Sequence, residues 1–488
     1  MKCAHLVPAV LLALVLAAAL PSGQSREAGD TVARIKTEGL QRSRALPLYR
    51  TLTDEIGARL TGSPAHMKAA HWAVERFGER GLANAHLEAY EFGRGWQVER
   101  VSVEMTEPRY LPLIAYPDAW SPATAGVVSG PVVYVGDKTA AQVQAMATEL
   151  RGAIVLTHLP QTEFVAGDRP QPGLDDRPVA TGNPVLPQPR STTPATDLLP
   201  LLRRLGAAAA LRPSAYRDGT VGVVGNRTIA PDAVPMIVVA GEQYNVLARL
   251  AADGHPPSLR VELRTRFFEE DRNSYNVIAE IPGRDPVLRD QVVLIGAHLD
   301  SWHTASGATD NADGAVAVME AMRILRVLGI EPRRTIRAAL WSGEEQGLLG
   351  ARAYVKEHFS TPASRDQLAV YLNDDPGSGK TLGFYMEGNR NAKVIFDLWL
   401  APLKDLGATR NIIESINATD HVPFNEAGLP GFNVIKEFSA YDERTRHTNA
   451  DYPERMSEDA LKQSAIFMAT FAWQAAMAEE KIPRPAAK

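Results

Sequence analysis

The sequence predicts an α/β protein in which helices flank a mostly parallel mixed sheet, with a β-rich domain inserted into that fold. From Asn273 to the C-terminus, short apolar segments typical of buried strands alternate with segments of helical periodicity. Such alternation is typical of a largely parallel sheet that is covered on both faces. Between residues 109 and 265 the alternation is absent, and short β-like segments are separated by chain rich in Pro and Gly. We therefore expect a main domain that carries an insert.

Residues 1–25 have the features of a secretory signal peptide. Lys2 supplies a positive charge, and the apolar run from Leu6 to Leu20 is followed by small residues. The run contains Pro8 and is shorter than the ~20 residues that a membrane-spanning helix needs. We expect the mature protein to be secreted or periplasmic, with no stable membrane span after signal cleavage. An uncleaved anchor is the alternative.

The composition is that of a soluble globular protein without a polyanionic partner. The formal net charge is -5, so no basic surface for nucleic acid is expected. The only cysteine, Cys3, lies in the signal segment, and the mature chain would hold no disulfide. A chain of 488 residues is long enough to be stabilised by its apolar core alone.

The chain from 26 to 108 is expected to begin the main domain. Helical periodicity extends from about Ala28 to Ile56, and a second helix reaches about Gly81. Ser63 and Pro64 are typical of the N-cap and first position of that second helix. The alternating segment from His86 to Phe92 predicts a strand.

The insert, residues 109–265, shows β-like runs at Gly130–Val135, Gly152–Thr157 and Met236–Ala240. Between them, Gln161–Thr196 is rich in Pro and Gly and has no periodicity, so we expect an irregular loop. Two interpretations are open: a lid that shapes a substrate site, or an insert that only stabilises the fold.

The rest of the main domain, residues 266–488, predicts strands and helices in alternation. The predicted strands are Ser274–Ile281, Gln291–Ala297, Arg334–Trp341, Gln367–Leu372 and Gly431–Ile435, and the predicted helices are Asp313–Leu328, Gly347–His358, Asn391–Leu406 and Met456–Glu480. On such sheets ligands bind at the C-terminal ends of the strands. His298, Glu344, Glu345 and Asp375 fall at those ends.

These side chains have the donor types that a hydrolytic two-metal centre requires. Such a centre needs a bridging carboxylate, further ligands for each ion and an open position for water. Asp310, on a small-residue loop before a helix, suits the bridge. His298 can bind one ion, and Asp300, two residues on, can accept the other imidazole N–H and so fix the tautomer.

Glu344 and Glu345 offer two carboxylates that point in different directions from a turn. One can bind metal while the other acts as a general base. Asp375 can complete the first site, and His447 the second, with Asp451 as a supporting acceptor. Each position alone is weak, but their order along the chain favours a metal site. Without cysteine, a closed thiolate site is excluded.

Several motifs together resemble peptidase family 28, the co-catalytic zinc exopeptidases that include aminopeptidase Y and carboxypeptidase Q. They are HLDSW at 298, GATDNADGA at 307, LWSGEEQGLLG at 340, LNDDPG at 372, DHVPFNEAGLP at 420 and HTNAD at 447. The resemblance extends from Ser274 to the C-terminus, and TGSP at Thr61 looks like the family's N-terminal part. The insert, with RGAIVL at 151, resembles a protease-associated domain.

The resemblance implies a zinc exopeptidase fold of the phosphorylase/hydrolase type that binds two zinc ions per chain. His298 and Asp375 would hold one zinc and Glu345 and His447 the other. Asp310 would bridge the ions and Glu344 would be the general base, with Asp300 beside His298. Asp375 rather than Asp374 fits the family pattern.

The predicted function is therefore an exported di-zinc exopeptidase that acts on the terminal bond of peptides or dipeptides. His421 or Tyr441 would steady the oxyanion, although His421 could instead pair with Asp420 to hold its loop. The sequence is compatible with a homodimer. Arg444 and Arg446 could bind a substrate carboxylate or could simply be exposed.

Three alternatives compete with this prediction. A glutaminyl-peptide cyclotransferase-like enzyme would use the same scaffold with a single zinc. A metal-free receptor or binding module would have lost ligands, whereas all five ligand positions and Glu344 are present. A related amidohydrolase family usually has its extra domain after the Glu-Glu motif, whereas here the insert precedes His298.

Overall fold

The computed structural model describes residues 22–173, 187–230 and 232–484. Most of the predicted signal peptide, and residues 174–186 of the predicted irregular loop, therefore lie outside the described residues. The remainder of that loop is irregular up to a helix that begins at Ala195.

The described residues form fifteen strands and thirteen α-helices. The strands are β1 (Ala83–Glu91), β2 (Gly95–Glu107), β3 (Leu111–Pro112), β4 (Ala115–Pro117), β5 (Val127–Tyr134), β6 (Ile154–Leu156), β7 (Ala209–Pro213), β8 (Met236–Val239), β9 (Ser258–Phe268), β10 (Asn273–Ile281), β11 (Val292–His298), β12 (Thr335–Trp341), β13 (Leu368–Asn373), β14 (Thr381–Tyr385) and β15 (Gly431–Lys436).

The helices connect these strands and cover the sheets. They are α1 (Ser22–Gln41), α2 (Ala45–Arg50), α3 (Pro64–Glu79), α4 (Ala140–Ala145), α5 (Ala147–Leu150), α6 (Ala195–Leu205), α7 (Gly241–Ala252), α8 (Asp313–Val327), α9 (Leu349–His358), α10 (Pro362–Gln367), α11 (Arg390–Leu400), α12 (Val422–Glu426) and α13 (Glu458–Met477). None of the helices in the described ranges is both long and apolar enough to cross a membrane.

The main sheet has seven strands in the order β1-β10-β12-β11-β13-β15-β14. Its four central strands, β12, β11, β13 and β15, run parallel, and β1, β10 and β14 extend it with antiparallel pairing. Every residue of β11 and β13 is buried, as expected for strands covered on both faces. The predicted mixed α/β fold is confirmed.

Helices cover both faces of this sheet. On one face, α1, α2, α3, α8 and α13 contribute to a single apolar core, and almost all of α8 and α13 is buried. On the other face, α9 and α12 pack over an aromatic cluster that includes Trp341, Tyr371 and Phe424. The sheet is thereby fixed from both sides, and its strand ends form a rigid edge.

A second sheet has eight strands in the order β3-β2-β9-β5-β6-β7-β8-β4. It contains β2, which lies within residues 26–108, and β9, which crosses residue 265. The second sheet therefore extends from Gly95 to Phe268, past the predicted insert boundaries at residues 109 and 265. The long antiparallel pair β2–β9 connects the insert to the main domain and was not recognised in the sequence.

The structure confirms one predicted helix start and differs from two predicted helix ranges. Ser63 accepts a hydrogen bond from the His66 amide at 3.2 Å and Pro64 opens α3, as predicted. The helix predicted over residues 28–56 is instead divided into α1, α2 and a π-helical turn, Thr51–Ile56. The helix predicted to reach Leu406 ends at Leu400 and continues as a 3₁₀ turn, because Pro402 has no amide hydrogen to donate.

Candidate metal centre

The predicted ligands converge at the C-terminal edge of the parallel strands. His298 is the last residue of β11, Glu344 follows the end of β12, and Asp375 follows the end of β13. Because β12, β11 and β13 are adjacent and parallel, their C-terminal ends meet at one edge of the sheet. Asp310 reaches the same edge from the loop before α8.

The first group of possible ligands consists of His298, Asp310 and Asp375. The Nε2 atom of His298 lies 3.3 Å from Asp310 Oδ1 and 3.6 Å from Asp375 Oδ1. All three residues are buried, and one ligand atom from each lies within 4.8 Å of the others. Two carboxylates and one imidazole thus face a common point.

The second group consists of Asp310, Glu345 and His447. The Nε2 atom of His447 lies 3.3 Å from Asp310 Oδ2 and 3.0 Å from Glu345 Oε2. Asp310 therefore presents one carboxylate oxygen to each group, which is the arrangement of a bridging ligand. The structure brings together all five residues that the sequence predicted as metal ligands.

The residues present fit two divalent cations. His298 Nε2, Asp310 Oδ2 and Glu345 Oε1 are buried and have no hydrogen-bond partner among the described residues. Leaving such buried polar atoms unpaired is costly unless a bound partner such as a cation satisfies them. Imidazole nitrogen and carboxylate oxygen are the donors that zinc uses in the absence of cysteine.

The electrostatics of the cluster also favour cations. Burial raises the pKa of Glu344 well above its ordinary value; nearby His298 opposes this shift, while Asp375 and Glu345 add to it. Burial likewise raises the pKa of Glu345, against the effect of His447. Several carboxylates thus lie close together beside two imidazoles, and bound positive charge would relieve the repulsion between the carboxylates.

A cavity of about 380 Å³ opens onto both groups. Glu344 lines it, and so do Tyr441 and Arg446. Burial raises the pKa of Tyr441 well above its ordinary value, and Asp310 and Asp375 act in the same direction, so the phenol keeps its proton. The apolar part of the wall consists of Leu348, Ile416, Ala418 and Val422.

Residues 276–472 match the family model described as Peptidase family M28. This part of the chain is similar to the peptidases of family M28. Carboxypeptidase Q of Rattus norvegicus is 26% identical over 463 residues, covering 94% of this chain and 90% of that protein. We refer to residues 276–472 as the M28 domain.

Two solved structures share the fold over nearly the whole chain. A peptidase M28 precursor from Shewanella amazonensis SB2B has a TM-score of 0.69 at 23% identity, covering 95% of this chain and 100% of that one. A zinc aminopeptidase from Bacillus subtilis has a TM-score of 0.59 at 19% identity, covering 89% of this chain and 95% of that one. The similarity to these structures therefore includes the insert as well as the M28 domain.

His298 of the M28 domain is oriented differently from the prediction. Its Nδ1 atom lies 3.0 Å from the backbone carbonyl of Asp300, whereas the Asp300 carboxylate oxygen Oδ1 is 3.6 Å away. The nearer acceptor is thus the carbonyl, and the Thr61 hydroxyl donates to the other carboxylate oxygen of Asp300 at 2.8 Å. Burial alone would raise the pKa of Asp300, but His298 keeps it below its ordinary value.

Two supporting contacts in the M28 domain were missed or misassigned. The indole Nε1 of Trp302 donates to Glu345 Oε2 at 2.8 Å. The only signal for this contact in the sequence is the presence of Trp302 in the HLDSW motif. Asp451, expected beside His447, instead accepts from the Thr309 amide at 2.8 Å and the Asp310 amide at 3.2 Å. It therefore supports the loop of the bridging carboxylate.

The two adjacent aspartates after β13 have different surroundings. Asp375 faces His298, whereas the Asp374 carboxylate lies 2.7 Å from the Lys436 ammonium. Lys436 also contacts Asp313 at 2.5 Å, and all three side chains are buried. The choice of Asp375 over Asp374 agrees with this geometry, and Lys436 was not predicted at all.

His421 does not take the position predicted for a substrate contact. It is fully buried, its Nε2 lies 3.2 Å from Glu387 Oε1, and it is not among the residues that line the cavity. The cause is the start of α12, which directs His421 into the fold. Its alternative partner, Asp420, has no hydrogen bond to it in the described residues.

Proposed function

We propose that this chain is an exported co-catalytic di-zinc exopeptidase that hydrolyses the terminal peptide bond of peptides or dipeptides. The observation that carries this proposal is the pair of ligand groups that share Asp310, one oxygen for each group. The M28 match supports a metallopeptidase. The relatives named carboxypeptidase Q and zinc aminopeptidase support an exopeptidase that uses zinc.

In this proposal each ion has one histidine and one carboxylate of its own. His298 and Asp375 would hold the first ion, and Glu345 and His447 the second, with Asp310 between them. When bound, the two ions would polarise the scissile carbonyl and make the attacking water more acidic. Trp302 and Asp451 would keep Glu345 and Asp310 in position through the hydrogen bonds described above.

Glu344 would carry the proton. Its side chain lines the cavity beside both groups. It would accept the proton of the attacking water and then donate it to the nitrogen of the leaving amine.

The cavity favours a short or terminal peptide segment. Its volume of about 380 Å³ is near the lower end of the ~300–1,000 Å³ typical of small-molecule sites. Tyr441, which keeps its proton, would donate to the oxyanion that develops on the carbonyl. His421 is not proposed for that role, because it does not line the cavity.

Export and domain organisation are part of the same proposal. Residues 1–25 would be removed as a signal peptide, and the insert would interrupt a catalytic domain formed by the chain before Gly95 and after Phe268. The N-terminal sequence of protein recovered outside the cytoplasm would test the first point, because it should begin near residue 26.

The cyclotransferase alternative predicts a single zinc. A single-zinc enzyme needs only one group of ligands. It would leave the second group, Asp310, Glu345 and His447, without an ion to bind. We therefore favour the two-ion peptidase.

The test is mass spectrometry of products from peptides with free and blocked termini, with and without a chelator. Loss of N-terminal residues from unblocked peptides, abolished by chelation, would identify an aminopeptidase. Cleavage restricted to dipeptides would identify a dipeptidase of the carboxypeptidase Q kind. Loss of ammonia from N-terminal Gln without any cleavage would overturn the proposal in favour of the cyclotransferase.

A further inference from the structure

The segment Glu437–Asn449, here called the catalytic loop, carries both Tyr441 and His447 and is held mainly by the insert. We propose that the insert positions the second metal site, with Arg169 as the principal positioning residue for His447. The inference rests on the proposed function, because it assigns a role to residues around the second ion.

The main contact is a buried salt bridge between Arg169 of the insert and Asp442 of the catalytic loop. Arg169 Nε donates to Asp442 Oδ2 and Nη2 donates to Oδ1, both at 2.6 Å, and the Arg169 amide adds a bond of 3.1 Å. The two side chains are only 4% and 0% exposed. A bidentate pair fixes orientation as well as distance, so the loop is held in one position relative to the insert.

Residues on either side of Arg169 hold the backbone of the catalytic loop. The Asp168 carboxylate accepts from the amides of Ala440 at 2.6 Å and Glu443 at 3.1 Å. Gln171 accepts from the Phe438 amide at 3.0 Å. Ala440 has φ +58°, a left-handed conformation that alanine rarely adopts, so the acceptor at its amide stabilises a costly turn.

A second part of the insert holds the loop at His447 itself. The Val223 amide donates to the carbonyl of His447 at 2.8 Å, and the Asn449 amide donates to the carbonyl of Val221 at 3.1 Å. His447 also has a left-handed φ of +58°. Its imidazole direction therefore depends on an unfavourable backbone conformation that contacts from the insert maintain.

The two ligands that belong to the first metal site alone lie at strand ends. His298 is the last residue of β11 and Asp375 follows β13, and the core of the main domain sets the positions of both strands. Loss of the Arg169 contact should therefore weaken the second ion and leave the first nearly unchanged. A general loss of stability would affect both ions.

The experiment compares Arg169→Leu with Arg212→Leu in the full-length mature chain. Arg212 forms a similar salt bridge with Asp118, at 2.6 and 3.0 Å, but within the insert and away from the catalytic loop. Asp168→Ala is a milder second variant if Arg169→Leu fails to fold. Stepwise Co²⁺ titration of the chelator-treated protein would measure the affinity of each ion, and hydrogen exchange without metal would measure protection of residues 440–449.

We expect Arg169→Leu and Asp168→Ala to lower the affinity of the second ion by about 10–100-fold, with the first ion unchanged. Amide exchange in the catalytic loop should be faster in both variants and unchanged in Arg212→Leu. Unchanged affinity and exchange, or an equal loss of both ions, would overturn the inference. If the unaltered protein binds only one ion, the proposed function fails, while the exchange data still decide whether the insert holds the loop.

Discussion

At the residue scale, the central feature is the division of Asp310 between two ligand groups. One oxygen faces His298 and the other faces His447. The Asp451 carboxylate accepts the Asp310 amide and so orients this residue from outside the groups. A single side chain would thus contribute a ligand to each of the two proposed ions.

Replacing Glu344 by Gln should separate metal binding from catalysis. The amide keeps the size of the side chain but cannot take up the proton of water, so kcat should fall by about 10²–10⁴-fold. Metal content should be unchanged, because Glu344 belongs to neither ligand group. Steady-state kinetics with metal analysis of the same sample checks this, and undiminished kcat would remove Glu344 from its role.

The sequence was informative about residues whose chemistry is local and uninformative about those defined by distant contacts. His298, Glu345 and Asp375 could be predicted because each follows an apolar strand within a recognisable motif. Lys436 and Trp302 could not, because their partners are far away in the chain and neither residue type predicts a buried polar contact by itself. His421 was misplaced for a related reason: its motif predicts a site residue but does not show which way α12 turns it.

At the element scale, the strand ends are joined by a buried charge network behind the metal centre. Lys436 at the end of β15 contacts Asp374 after β13 and Asp313 at the start of α8. Burial disfavours the ammonium, but the two carboxylates raise the pKa of Lys436 above its ordinary value. The network connects the elements that carry Asp375 and Asp310. The alternation of strands and helices in the sequence did not predict it.

Lys436→Met should destabilise the fold strongly, because it leaves two carboxylates buried without their cation. We expect the free energy of unfolding to fall by about 3–5 kcal/mol. The matched control is Lys462→Met, which removes an i,i+4 pair with Glu458 on the surface of α13 and should cost less than about 0.5 kcal/mol. Urea unfolding of the metal-free proteins measures the free energy of unfolding of both variants. Equal losses would show that the buried network stabilises the fold no more than a surface ion pair does.

At the scale of the whole molecule, we propose that a main domain and an insert share one catalytic site. The alternation of strands and helices was sufficient to predict the main sheet. The pairing of β2 with β9 was not predicted, because the two strands are separated by more than a hundred residues and only the fold shows that contact. Of the two interpretations of the insert, its contacts with the catalytic loop favour an active role in shaping the site.

The most direct test of the two-ion centre is to count metal ions per chain in the purified mature protein and in Asp310→Ala. Elemental analysis after equilibration with zinc should give two ions for the unaltered chain. Asp310→Ala should retain essentially none, since it removes a ligand from both groups, while Asp420→Asn, outside both groups, should retain two. A single ion in the unaltered chain, or two ions in Asp310→Ala, would contradict the shared-carboxylate centre.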